Sequence, residues 1–123
     1  MPSSVNLTMV RGDTFPFVAT IQHNNVALNL TGAQVRFLAK WKYEDADVDA
    51  VINLVVGSGI TITDAIAGQV EVIVPATATT SLPARVVDLF YDLQATTSTN
   101  NVYTAMIGKL RVNPDVSIAA TNP

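Results

Sequence analysis

The sequence predicts an all-β domain, a sandwich or a barrel. Two observations predict it. Apolar residues recur with period two over most of the chain, which places alternate side chains on opposite faces of a strand. Clusters of Gly, Asn, Ser and Thr separate these runs, at the roughly ten-residue spacing of strands joined by tight turns.

The elements follow in order. Val5, Leu7 and Met9 alternate with Asn6 and Thr8 in a first strand. Arg11-Gly12-Asp13 then spells the adhesion tripeptide read by integrins. Lying between two alternating runs, it reads instead as a turn. Gly12 gives the reversal, Asp13 accepts the turn's own amides, and Arg11 is left free at the edge for a neighbouring subunit. Phe15, Phe17, Ala19 and Ile21 form the core stripe of a second strand, and Pro16 predicts that it lies at a sheet edge. His23-Asn24-Asn25 is the likeliest-spelled hairpin tip, rich in residues that accept positive φ. Val35, Phe37, Ala39 and Trp41 share one parity, so Trp41 is expected to be buried at the end of a core stripe. Asp64-Ala-Ile-Ala-Gly68 is a hairpin loop leading to the strand of Val70, Val72 and Val74. Residues 76–86 form a crossover with room for one short helical turn before Pro83. Leu89, Tyr91 and Leu93 alternate with Asp88, Asp92 and Gln94. The last strand runs from Val102 to Val112, where Gly108 marks a bulge or a close backbone approach. Residues 1–116 are expected to form one domain, and 117–123 an extended or mobile tail.

Composition narrows the function. The chain has 123 residues and no cysteine, so no disulfide or thiolate metal site is available, which suits assembly in a reducing cytosol. Its formal net charge is −3 and its seven basic residues are scattered, against a nucleic-acid partner or an anionic membrane surface. No apolar run approaches the length of a membrane-spanning helix, and the N-terminal residues lack the pattern of a secretory signal. Only 14% of residues are charged, below the usual quarter. Such a surface suits broad contacts with other proteins, whose interface cores are poor in charge.

No catalytic constellation emerges, and no catalytic, cofactor-binding or metal-binding residue is assigned. His23 is the only histidine and lies in a turn. Asp45, Asp47 and Asp49 open like a calcium loop, but Ala50 and Val56 stand where that loop needs Gly and Glu. The stretch reads as a solvated acidic loop, partly neutralised by Lys40 and Lys42, with weak calcium binding as the lesser reading. Asp88 and Asp92 are four apart on one strand, about 13 Å, too wide for a pair of catalytic carboxylates. Asp92 faces away from the core and is expected to pair with Arg36 or Lys109. Trp41, Tyr43 and Tyr103 are the aromatic candidates for a sugar platform.

The order of short motifs resembles a known family. Gly12-Asp13-Thr14, Leu30-Thr31-Gly32, Asp64 with Gly68 and Val70, Tyr91-Asp92-Leu93, and Gly108 with Leu110 and Val112 resemble, in sequence and spacing, the immunoglobulin-like N-terminal domain of phage baseplate upper proteins and related tail and head appendage domains. The resemblance runs from about Val5 to Val116. It implies an immunoglobulin-like antiparallel β-sandwich of about seven to nine strands. It also implies a non-enzymatic virion structural protein, assembled in the bacterial host cytoplasm. Baseplate upper proteins continue into a long C-terminal part, whereas this sequence ends at Pro123. The expectation is therefore a small multi-copy component that decorates or cements the capsid, or attaches to the tail or baseplate. Its partners would be other phage structural proteins and itself, as a homo-oligomer, without nucleic acid, membrane or cofactor. A carbohydrate-binding adhesion module for host surface glycans is the alternative.

Overall fold

The computed structural model describes residues 3–42, 44–83 and 85–114. The expected tail, 117–123, and Tyr43 of the aromatic platform lie outside them. Eleven strands follow in chain order: β1 (Ser3–Ser4), β2 (Leu7–Val10), β3 (Phe15–Thr20), β4 (Gln22–His23), β5 (Val26–Ala27), β6 (Gln34–Lys40), β7 (Ile52–Val56), β8 (Gly59–Asp64), β9 (Gln69–Val74), β10 (Val87–Thr96) and β11 (Val102–Asn113). Short 3₁₀ turns cover Asp47–Asp49 and, in the predicted crossover, Ala76–Ala78.

Nine strands form one continuous ladder, β1-β11-β10-β6-β7-β8-β9-β3, with β2 also on β11. The ladder folds into two layers. The front layer holds β1, β2, β11, β10, β6 and β7, and the back layer β8, β9 and β3. The chain passes from front to back at Gly57-Ser58, where Val55 and Val56 lie beside Gly59 and Ile60. Phe17 on β3 and Phe37 on β6 are far apart along the ladder, yet their rings meet edge-on at 5.7 Å, so the two layers face each other. Phe37 in turn lies 5.4 Å from Tyr91. Back strands ordered β3-β9-β8 against front strands ordered β11-β10-β6-β7 make the immunoglobulin-like sandwich.

The period-two residues fill the interior. Phe37, Ile60, Val70, Val72, Val74, Leu89, Leu93 and Leu110 are almost fully buried. Burying a side chain of this size is worth about 1.5–3 kcal/mol, so the stripe from these strands dominates stability. β3 is the end of the ladder, as Pro16 predicted. Asn24 and Asn25 both have positive φ, 52° and 64°, closing the β4–β5 hairpin with a two-residue turn.

Three expectations are corrected and one alternative is decided. Trp41 is 40% exposed, because β6 ends at Lys40 and the bend at Trp41–Lys42 turns the indole away from the core stripe. The ladder is not wholly antiparallel: β1 and β2 run parallel to β11, since no hairpin joins them to it. Gly108, read as a bulge or a close backbone approach, is the close approach. The register shift falls earlier, where Leu93 and Gln94 face Met106 and Thr104 and Ala105 is the extra residue. Arg11 is engaged, donating Nε to the Leu82 carbonyl at 2.8 Å and Nη2 to the Thr80 carbonyl at 2.9 Å.

The Arg11-Gly12-Asp13 turn is thus a bracket between the β2–β3 turn and the crossover. Gly12 has φ +80°, and its amide donates to the hydroxyl of Thr79 at 2.9 Å. Thr79 is fully buried, so this bond satisfies an otherwise costly polar group. The amide of Asp13 donates to the Val10 carbonyl. The Asp13 carboxylate, expected to accept the turn's amides, accepts none among the described residues.

Candidate functional site

The outer face of the front layer carries the site. On each of its central strands one residue breaks the apolar-in, polar-out alternation. Leu38 is buried on the outward side of β6. In the strand register Leu38 lies beside Asp92, and Asp92 beside Ile107. Phe90 follows in the next row, between Lys40 and Lys109. These groups line a pocket of about 290 Å³.

Charged residues arch over this apolar row. Arg36 and Lys40 flank Leu38 on the same face of β6. Both reach Asp47 of the acidic loop, at 3.4 Å and 2.7 Å. Lys40 also donates to the Asp45 carbonyl at 2.9 Å. The hydrogen bond from Lys40, and then its charge, hold the Asp47 carboxyl below its ordinary value. The acidic loop is therefore tied down by cations, and the expected neutralisation by Lys40 is joined by Arg36. Lys42 contributes only its backbone amide, to the Asp45 carboxylate at 3.2 Å.

Asp92 does not make the ion pair predicted for it. Arg36 is committed to Asp47, and Lys109 sits over the Phe90 ring at 5.8 Å. The Asp92 Oδ2 accepts a long bond from Gln94 at 3.3 Å, while its Oδ1 is buried with no partner. Burial between Leu38 and Ile107 pushes the Asp92 carboxyl above its ordinary value. Arg36 and Lys40 act against that rise, and Asp47 adds to it. Asp88, the other carboxylate of the strand, is held by Arg111 in a two-point contact at 2.9 and 3.2 Å. That hydrogen bonding lowers its carboxyl from the ordinary value. The two aspartates have unlike surroundings and do not act as a pair.

Two further hollows open on the same face. One, of about 280 Å³, shares Arg36 and Gln94 with the first and extends to Val55 and Val102. The other, of about 220 Å³, lies between Asn6, Asp88, Lys109 and Arg111. Val55 and Val102 are 39% and 58% exposed. The face is thus a shallow, lengthwise groove, apolar at the end of Val55 and Val102 and charged at the end of Asp88, Lys109 and Arg111, which fits an extended protein contact better than a small substrate.

Of the aromatic candidates, the described Trp41 and Tyr103 do not come together. Trp41 follows Lys40, which is opposite Phe90, whereas Tyr103 is opposite Ala95. Five residues of strand separate the two positions, about 17 Å. Tyr103 instead packs its ring 4.6 Å from His23. Among the described residues, no group of three or more His, Asp and Glu is gathered to hold a metal ion.

The first strands form a strap over β11. Tyr91, expected in the core, is 2% exposed. Its hydroxyl donates to the Val5 carbonyl at 2.5 Å, and burial pushes the phenol up to about 12. The amide of Val5 donates to the Ile107 carbonyl at 3.0 Å, and Lys109 donates its amide to Asn6 Oδ1 at 3.2 Å. A Cβ on Gly108 would overlap the Val5 carbonyl oxygen. The Tyr91 and Gly108 of the family-like motifs therefore hold the N-terminal strand in place.

No protein-family model matches the chain, and no curated protein is significantly similar to it. Among solved structures, it is similar to the N-terminal domain of phage TP901-1 ORF48, at 12% identity over 92% of this chain and 88% of that one, with a TM-score of 0.47. It is also similar to murine CRIg, at 15% identity over 91% of this chain and 93% of that one, with a TM-score of 0.40. The immunoglobulin-like arrangement itself rests on the strand order and register given above.

Proposed function

We propose that the protein is a non-enzymatic structural component of a bacteriophage virion. In this reading it is a multi-copy domain that decorates or cements the capsid, or attaches to the tail or baseplate, through protein–protein contacts. The observation that carries the proposal is the grooved outer face of the front layer. Its hollows, out-of-phase apolar residues and unpartnered carboxylate oxygen are gathered on one sheet surface. The ordered motifs that resemble the phage domains support it from the sequence side. Where they are seen here they serve the scaffold: Gly12 in the bracket turn, Tyr91 and Gly108 in the strap. Mass spectrometry of virions purified from the phage encoding this chain tests the reading. The protein is expected in the particle at a copy number comparable to other structural proteins, and its absence from the particle would sink the proposal.

The glycan-binding alternative rested on Trp41, Tyr43 and Tyr103; of the two described residues, Trp41 and Tyr103 lie at opposite ends of the sheet. The exposure of Trp41 makes it separately testable. Trp41→Ala should keep the fold, with a melting temperature within a few degrees of the parent. A glycan array should then show no binding for either protein; binding by the parent that the variant loses would reinstate the alternative.

A further inference from the structure

We infer that the outer face of the front layer is where one copy of this chain meets another, through a two-fold contact in which each Lys109 reaches the partner's Asp92. The inference rests on the reading of the domain as a multi-copy component, and names the surface such a component uses on itself.

Charge complementarity is the first argument. Most charges on this face are already in ion pairs: Arg36 and Lys40 share Asp47, and Arg111 holds Asp88. Two groups of opposite sign make no ion pair among the described residues. Asp92 keeps one buried oxygen without a donor. Lys109 makes no ion pair among the described residues, and its ammonium rests near the Phe90 ring. They belong to neighbouring strands, since Asp92 faces Ile107 and Lys109 lies two residues further along β11. Within one chain they do not meet. A two-fold axis in the plane of contact, bisecting the line between them, sets each Lys109 over the other copy's Asp92. One pair of such groups then makes two symmetry-related contacts, as an isologous interface requires. Asp92 as a whole is only half-buried, so the partner's ammonium meets the carboxylate at its exposed edge and offsets a charge that no cation of its own chain pairs with at ion-pair distance.

Area and composition are the second argument. β7, β6, β10 and β11 hold 5, 7, 10 and 12 residues, and at about 4.8 Å between strands and about 3.3 Å per residue they cover about 540 Å² per copy. That is at the small end of specific interfaces, near which a reversible dimer forms. Its centre is apolar where Phe90 and Ile107 line the groove, and one end carries the exposed Val55 and Val102. This pattern of an apolar centre with few unmatched charges is that of an interface core.

A double-mutant cycle read by sedimentation tests the contact. The parent protein should show a concentration-dependent monomer–dimer equilibrium below about 1 mM, the weak end of specific association. Asp92→Asn and Lys109→Gln should each weaken it about tenfold, two symmetry-related contacts being lost at once. Together they should weaken it no further than either alone, because they remove one interaction. Thermal melts of the same samples confirm that each variant is folded. A parent that stays monomeric at 1 mM overturns the inference. So does a dimer indifferent to both substitutions, or one whose losses simply add. The two readings fail separately. A dimer that obeys the cycle but is absent from virions leaves the face and removes the virion role. A monomer that is present in virions does the reverse.

Discussion

Asp92 shows how one residue can be costly for the fold and useful at its surface. Its carboxyl is raised because burial between Leu38 and Ile107 disfavours the charge. A carboxyl whose value is higher in the folded than in the unfolded chain opposes folding while ionised. That opposition is present at neutral pH and is relieved as pH falls through the raised value. Asp92→Asn should therefore raise the melting temperature at pH 7 by about 4 °C, as expected for removing about 1 kcal/mol of desolvation. The gain should shrink as pH falls and vanish well below pH 3.8, where the parent carboxyl is protonated in both states. Asp47 and Asp88, shifted down by their cations, lose stabilisation further down, as pH falls below 3.8 through their lowered values. They do so in parent and variant alike, so the difference between the two isolates Asp92. Measured at a concentration where the chain is monomeric, a lower melting temperature for the variant at pH 7 would mean that the carboxylate has a partner within its own chain.

Arg11 and Gly12 separate the turn from the adhesion signal that they spell with Asp13. Arg11→Ala removes two charge-assisted bonds to the crossover carbonyls. It should cost about 1–2 kcal/mol, seen as a lower urea midpoint at unchanged slope. Gly12→Val should cost a similar amount, about 1–2 kcal/mol, through backbone strain alone: φ is +80° and the space around the missing Cβ is empty. If Arg11→Ala left stability unchanged, the bracket described here would be wrong.

Among the elements, the clearest strands were those with a solvated outer face. The Val70-Val72-Val74 stripe and the Leu89-Tyr91-Leu93 stripe were legible because Glu71 and Asp92 interrupt them. β7 and β8 were harder to see. In Ile52–Val56, outward Val55 is apolar as well as the inward Leu54, and the alternation is lost. Leu38, Phe90 and Ile107 were passed over for the same reason. Each is an apolar residue at an outward position, and only the register shows that they fall in adjacent rows. The signal that could have found the face is that these exceptions recur on three strands. Trp41 failed for a different reason: parity holds only while the strand continues, and β6 ends one residue earlier. Parallel pairing of β1 and β2 with β11 is a long-range fact that no local pattern encodes.

The strap makes its own prediction. Gly108→Ala sets a methyl group against the Val5 carbonyl, which should displace β1 and the Val5–Asn6 link while β10 and β6 stay paired. Amide exchange at Val5, which donates to Ile107, should rise strongly, with little change at Leu93 and Phe37 in the core. The overall loss should be about 1–3 kcal/mol, as for other overpacking substitutions. Uniform loss of protection across all strands would instead make the strap part of the core's cooperative unit.

For the whole molecule, the sparse charge and the grooved front layer are what the proposed contact-making role rests on. Cryo-electron microscopy of the purified particle tests that role most directly. The account predicts sandwich-shaped density in many symmetry-related copies, with the Leu38, Phe90 and Ile107 face covered by another protein subunit. Particles without such density, or copies seated with that face turned to solvent, would contradict it.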